Sequence, residues 1–149
     1  MTLTVYTVPV AQPRQRHAVV TTKSGRSFLH NYTPRDHPVN AYKAALILEA
    51  QRMRAKPTDG PVVMMVDFYL PRPKRLMRKK DPDGPIPHTA KPDIDNLLKS
   101  TKDALRGIAW RDDSQVCSTH ARKWYAAKND KPHVKIVIIQ GAEHEEASA

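Results

Sequence analysis

The chain has a single cysteine, Cys117, among 149 residues. That excludes an intramolecular disulfide and a cysteine-rich zinc site, and it fits a reducing compartment. No run of about 18 apolar residues occurs, so no membrane-spanning helix is expected. The opening Met1-Thr2-Leu3-Thr4-Val5-Tyr6 has no basic region followed by an apolar one, which argues against a secretory signal. Glycine is scarce, 5 residues against 13 prolines, so the loops should be stiff around a modest core. No Walker-type or dinucleotide-type glycine loop appears. The histidines at 17, 30, 37, 88, 120, 133 and 144 show no ligand spacing, and Cys117 with His120 does not make a zinc site.

Acidic residues are scarce in the first half. Residues 1–80 carry 15 Lys/Arg against 4 Asp/Glu, whereas residues 81–149 carry 10 against 11. A net charge of +10 favours polyanionic partners, because each cation set against a phosphate releases condensed counterions. The length suits one domain with one core, 1–149, with no linker.

The pattern predicts α+β structure. Leu3 to Val8 alternates and is β-branched, so it reads as a strand stopped by Pro9 and Pro13. The polar loop after it carries Arg14 and Arg16, whose planar forks of donors suit phosphate oxygens; a plain exposed loop is the bland alternative. Residues 18–22 and 27–32 flank a glycine-bearing turn and predict a hairpin. A helix should enter near Thr33 to Pro38, with Val39, Tyr42, Leu46, Ala50 and Met53 as its buried stripe. Pro61 to Leu70 is apolar on both faces apart from Asp67 and is placed at the centre of a sheet. A proline-rich basic loop follows at 71–90, carrying Arg72, Lys74, Arg75, Arg78, Lys79 and Lys80, and is read as a flexible arm that grips polyanion. A second helix is expected over 94–106, a strand over 115–125, and a last strand from Pro132 to Ile139 paired with it. The acidic tail, 141–149, should fray. The sum is a small mixed sheet of four to five strands with two main helices packed against it.

The chemistry gathers at Lys91-Pro92-Asp93-Ile94-Asp95-Asn96-Leu97-Leu98-Lys99 and at Arg111-Asp112-Asp113-Ser114-Gln115-Val116. Asp93 and Asp95 lie two apart at a helix start, Lys99 one turn beyond Asp95, and Asp103 one turn beyond Lys99. Each has an ordinary reading: Asp93 as N-cap, Asp95 as a favourable first-turn charge, Lys99 as an ion-pair partner. The alternative is a set of hard oxygen ligands holding a divalent cation against a phosphate. Distance is the difficulty, since a helix of about four turns is roughly 20 Å long and would separate Asp93 from Asp113. Either the Asp-Asp turn runs back along the helix, or the helix is shorter.

Lys91-Pro92-Asp93-x-Asp95-Asn96-Leu97-x-Lys99, then Asp103-Ala104-Leu105, then Trp110-x-Asp112-Asp113-x-Gln115-Val116, closely resembles the signature of the RusA family of Holliday-junction resolvases. The resemblance implies a homodimeric, Mg²⁺-dependent endodeoxyribonuclease, with Mn²⁺ as a substitute, that cuts four-way junctions and needs no organic cofactor. It assigns Asp93, Asp95 and Asp113 as catalytic metal-binding carboxylates that converge, Lys99 as the catalytic lysine and Asp112 as a supporting metal acid. Arg14, Arg16 and the 72–80 run become candidate DNA contacts. The resemblance further implies a cytoplasmic protein of bacterial or phage origin. Two other readings stand beside it: a non-catalytic basic DNA-binding module, and a nuclease for other branched DNA.

Overall fold

The computed structural model describes residues 1–141, so the tail expected to fray lies outside the described residues apart from Gly141. In chain order the elements are β1 (Thr2–Val5), β2 (Arg16–Thr21), β3 (Ser27–Tyr32), α1 (Pro38–Arg52), β4 (Val62–Leu70), β5 (Ile86–Pro87), α2 (Ile94–Leu105), β6 (Val116–Tyr125) and β7 (His133–Gln140). Short 3-10 turns occupy Lys74–Leu76 and Asp113–Gln115. One mixed sheet runs in the order β1-β7-β4-β6-β5, and β2 and β3 form a separate two-stranded ribbon. The described residues form a single α+β domain with two α-helices. Among the described residues no helix is long and apolar enough to cross a membrane.

β4 is central because both of its faces are apolar and both of its edges find partners. It pairs in parallel with β6 and antiparallel with β7. Val62, Met64, Val66, Phe68 and Leu70 are buried on one face, where they meet Leu3 and Val5 of β1, Val134, Ile136 and Ile138 of β7, Tyr42, Leu46 and Ala50 of α1, and Leu97, Ala104 and Leu105 of α2. Removing such side chains from water is worth about 1.5–3 kcal/mol each and is what holds the helices to the sheet.

The last two strands do not form the expected hairpin. β4 lies between β6 and β7, and β7 pairs instead with β4 and β1. The connection from β6 must therefore span two strand spacings, roughly 9–10 Å. Its Lys128 is held by the long loop rather than by a tight turn: the backbone N–H donates to the Asp83 carbonyl at 3.0 Å, and Nζ donates to the Arg78 and Asp81 carbonyls at 2.7 Å each.

α1 starts later than its periodicity suggests, at Pro38. A residue preceding proline is pushed out of the helical region, so the helix cannot extend back through His37. His37 becomes the N-cap, its Nδ1 accepting the Val39 N–H at 3.0 Å. Val39, Tyr42, Leu46 and Ala50 are buried as expected, but Met53 falls at the C-cap and is 39% exposed.

Candidate active site

α2 is held in place by its buried side, which leaves the opposite stripe free. Leu97, Ser100, Thr101, Ala104 and Leu105 are buried. The Tyr42 hydroxyl and Thr101 Oγ1 lie 2.7 Å apart, tying α2 to α1, and burial pushes the Tyr42 hydroxyl far above its ordinary pKa. Ser100 Oγ donates to the Val10 carbonyl at 2.6 Å, and the Gln12 N–H donates to the Asn96 carbonyl at 3.0 Å. The loop carrying Arg14 is thereby fastened to the N-terminal half of α2. Lys123 Nζ donates to the Ala90 and Pro92 carbonyls, 2.7 Å each, and so braces the approach to the helix.

Asp93 occupies the N-cap position but makes no side-chain cap bond. Lys91 Nζ instead lies 3.1 Å from both of its oxygens, in an exposed pair. Asp95, Leu98, Lys99, Lys102 and Asp103 recur at intervals of three and four and line one groove of about 360 Å³, with Asp113 and Thr119 also in its wall. The Asp-Asp turn thus does come back to the helix, to the groove that Asp95 and Lys99 share.

The residues between α2 and β6 explain how. Gly107 takes φ +79°, a left-handed conformation suited to glycine, and its N–H donates to the Trp110 carbonyl at 2.6 Å. Trp110 is fully buried, and its Nε1 donates to Asp113 Oδ1 at 2.9 Å. Gln115 clamps the turn: Oε1 accepts the N–H groups of Arg111 and Asp112 at 2.8 Å each, while Nε2 donates to the Thr58 and Gly60 carbonyls at 2.8 and 2.9 Å. Asp112, assigned by the resemblance as a metal acid, is engaged elsewhere. Its carboxylate accepts the Ser114 hydroxyl at 2.6 Å and the Ser114 N–H at 3.3 Å, and pairs with Arg106 at 3.1 Å. The Ser114 hydroxyl, then the Ser114 N–H, with help from Arg106, hold it below the usual carboxylate range. Here Asp112 is the cap of the turn that delivers Asp113.

Two cavities flank the groove. One, of about 520 Å³, is lined by Asp93 and Asp95 together with His88, Arg122 and Trp124. The other, also about 520 Å³, is lined by Gln12, Arg14, His17, Asn96, Lys99 and Asp103. Asp95 belongs to the groove and the first cavity, and Lys99 to the groove and the second. Among the described residues no group of three or more His, Cys, Asp or Glu side chains is close enough to hold a metal ion. The chain alone therefore offers carboxylates in ones and twos along one path. Such a donor set fits Mg²⁺, which usually keeps several waters and takes one or two carboxylates together with substrate phosphate.

The family model Endodeoxyribonuclease RusA matches residues 7–139. The chain belongs to the RusA endodeoxyribonuclease family. It is also similar to the uncharacterized protein YqaN of Bacillus subtilis (strain 168), with 34% identity over 140 residues, covering 91% of this chain and 92% of that protein.

Within this RusA fold the basic candidates divide. Arg14 is exposed at the cavity it shares with Lys99, and Arg16 is exposed on β2. Lys74, Arg75, Lys79 and Lys80 are exposed and take no side-chain partner among the described residues. Arg72 is committed to the protein: its guanidinium donates to the carbonyls of Leu76, Pro82 and Gly84 at 2.8, 2.6 and 2.9 Å. Arg78 pairs with Asp81 at 3.2 Å. Together with the Lys128 bonds, these contacts make 71–90 a stapled loop rather than a flexible arm. Neither His88 nor Gln12 stands out by spacing, because each is marked by burial instead: among the described residues His88 Nδ1 and Gln12 Oε1 are buried without a hydrogen-bond partner.

Proposed function

We propose that this RusA-family chain is a Mg²⁺-dependent endonuclease, with Mn²⁺ as a substitute, that acts as a homodimer in a bacterial or phage-infected cytoplasm and resolves four-way DNA junctions. The observation that carries the reading is the continuous path from Asp93 and Asp95, past Lys99 with Asp113 in the same groove, to Arg14. A phosphodiester laid along that path meets Asp93 and Asp95 at one end, Lys99 in the middle and Arg14 at the other end.

In the reaction a water oxygen bonds to phosphorus, the bond to the 3′ oxygen breaks, and a proton of the water ends on that oxygen. A divalent ion bound by Asp93 and Asp95 would supply charge neutralisation and a polarised water. Asp113 lines the groove with its Oδ1 held by Trp110. Lys99 places a cation where negative charge grows on the phosphate; a donor in that role is typically worth about 10²–10³ in rate. Arg14 and His17 sit beyond Lys99, where they position the neighbouring phosphates.

The separation of the three acids favours one competing reading, a basic module that binds branched DNA without cutting it. Incubating the protein with a synthetic four-way junction, in Mg²⁺ and in chelator, separates the two. Paired nicks that require the metal support the nuclease; binding indifferent to metal with no nicked product supports the module. A panel of flaps, forks and junctions then decides between a resolvase and a nuclease for other branched DNA.

A further inference from the structure

The β2–β3 ribbon leaves apolar groups in water on both faces. Register places Arg16 opposite Tyr32, Ala18 opposite His30 and Val20 opposite Phe28 on one face, with His17/Asn31 and Val19/Leu29 on the other. Val19 is 71% exposed, Leu29 63%, Phe28 50%, and Tyr32 and Val20 38% each. A two-stranded ribbon is marginally stable at best in water, so such a surface calls for an occupant.

Charge says which occupant. Arg14, Arg16, Lys23, Arg26 and Arg35 are the only Lys, Arg, Asp or Glu residues in the first 35 positions. Pairing two ribbons from two copies of the chain would bring these cations together, whereas nucleic acid neutralises them. The aromatic groups are arranged to match. Phe28, His30 and Tyr32 alternate along β3 and so share one face, and the His30 and Tyr32 rings lie 7° from parallel with centroids 6.1 Å apart. Rows of exposed rings on a β surface, flanked by cations, are platforms on which unpaired bases stack.

We infer that the β2–β3 ribbon is a stacking arm for unpaired DNA bases, with Phe28, His30 and Tyr32 as the platform and Arg16, Lys23 and Arg26 as its phosphate contacts. The arm begins where the active site ends, since Arg14 and His17 at its root line the cavity that Lys99 also lines. A strand leaving the acidic groove over Lys99 therefore meets the ribbon next, at the point where bases unstack beside a branch. The inference rests on the proposal that the protein acts on branched DNA.

The test uses the full chain, in chelator so that nothing is cut, with a four-way junction carrying 2-aminopurine beside the branch and a plain duplex as control. Wild type should change the 2-aminopurine fluorescence on binding. The pair Phe28→Ala with Tyr32→Ala should abolish that change, weaken junction binding by about tenfold and leave duplex affinity alone, and Tyr32→Phe should restore binding over Tyr32→Ala. Sedimentation is run on every variant. An unchanged fluorescence response and affinity in the double variant overturns the inference, as does conversion of a dimer to monomer, which would make the ribbon a contact between copies. Failure of the nuclease reading looks different: wild type would leave the junction uncut in Mg²⁺, whatever the ribbon variants do in binding.

Discussion

The buried indole of Trp110 donates to Asp113 Oδ1 across 2.9 Å, so a core residue fixes the orientation of a carboxylate in the acidic groove. Trp110→Phe keeps a ring in the core and removes the donor. We predict a stability loss of about 1–2 kcal/mol from the lost hydrogen bond and the imperfect fill. Junction cleavage should fall by about tenfold or more, because a small misplacement of a reacting group is costly. Binding in chelator should be unchanged. Cleavage at the wild-type rate would show that the orientation of Asp113 does not matter to the reaction.

Asp93→Asn removes a charge that, among the described residues, pairs only with exposed Lys91 and caps no backbone N–H. Folding should therefore be nearly indifferent to it, while metal-dependent nicking disappears. Binding to a junction in chelator should hold or tighten, since the carboxylate repels phosphate when no metal is present. Melting curves, gel shifts and single-turnover cleavage on one preparation check all three. Full nuclease activity in this variant would end the assignment of Asp93. Asp112→Asn offers the contrast, because its carboxylate caps the Asp113 turn; stability should drop along with activity.

These contrasts show where the sequence was sufficient. The central position of β4 followed from apolar residues on both faces, and the buried stripe Val39, Tyr42, Leu46, Ala50 followed from helical spacing. The β2–β3 hairpin was legible from its glycine-bearing turn, but pairing within the main sheet was not: β6 and β7 are adjacent in sequence with a turn between them, and nothing local announces that β4 takes both as neighbours. In the site, spacing placed Asp95, Lys99 and Asp103 on one face, as the groove has them. Spacing could not tell Asp112 from Asp113, because their roles are decided by Ser114, Arg106 and Trp110, which reach them through the fold of the turn. Nor could composition tell Arg72 from Arg75, since only the loop's own carbonyls make Arg72 internal.

The loop 71–90 gives a clean comparison of two arginines. Charge reversal at Arg75 and Lys79, both exposed, should weaken duplex and junction binding alike and reduce the slope of log affinity against log salt by about 2, roughly one per lost phosphate contact. Their melting temperature should stay put. Arg72→Ala should do the reverse, lowering stability by roughly 2–3 kcal/mol as three carbonyls lose a charged donor, with the slope nearly intact. A salt titration beside a denaturation curve reads both, and an unchanged slope for the Arg75/Lys79 pair removes the loop from the DNA interface.

Asp67 supplies a pH dependence whose sign follows from its contacts. It sits mid-sheet on β4, on the face away from the main core, and accepts Arg122 Nε at 2.6 Å, Arg122 Nη2 at 3.0 Å and Trp124 Nε1 at 3.1 Å. Burial works to raise its pKa, but the Arg122 and Trp124 hydrogen bonds and the charges of Arg122 and Lys135 outweigh it, and the carboxyl lies below its ordinary value. A carboxyl depressed in the folded state stabilises fully above its unfolded pKa, about 3.9, and loses that contribution as the pH falls through the lower folded value. Asp67→Asn should therefore be less stable than wild type at pH 7, by roughly 1 kcal/mol given the exposure of Arg122. The gap between the two proteins should stay constant from pH 7 to about 5 and close toward pH 2–3. Taking the difference between the two unfolding curves at each pH cancels the carboxylates they share. A gap that persists undiminished at the acid end would mean that packing against Trp124, not the charge of Asp67, is what the substitution removed.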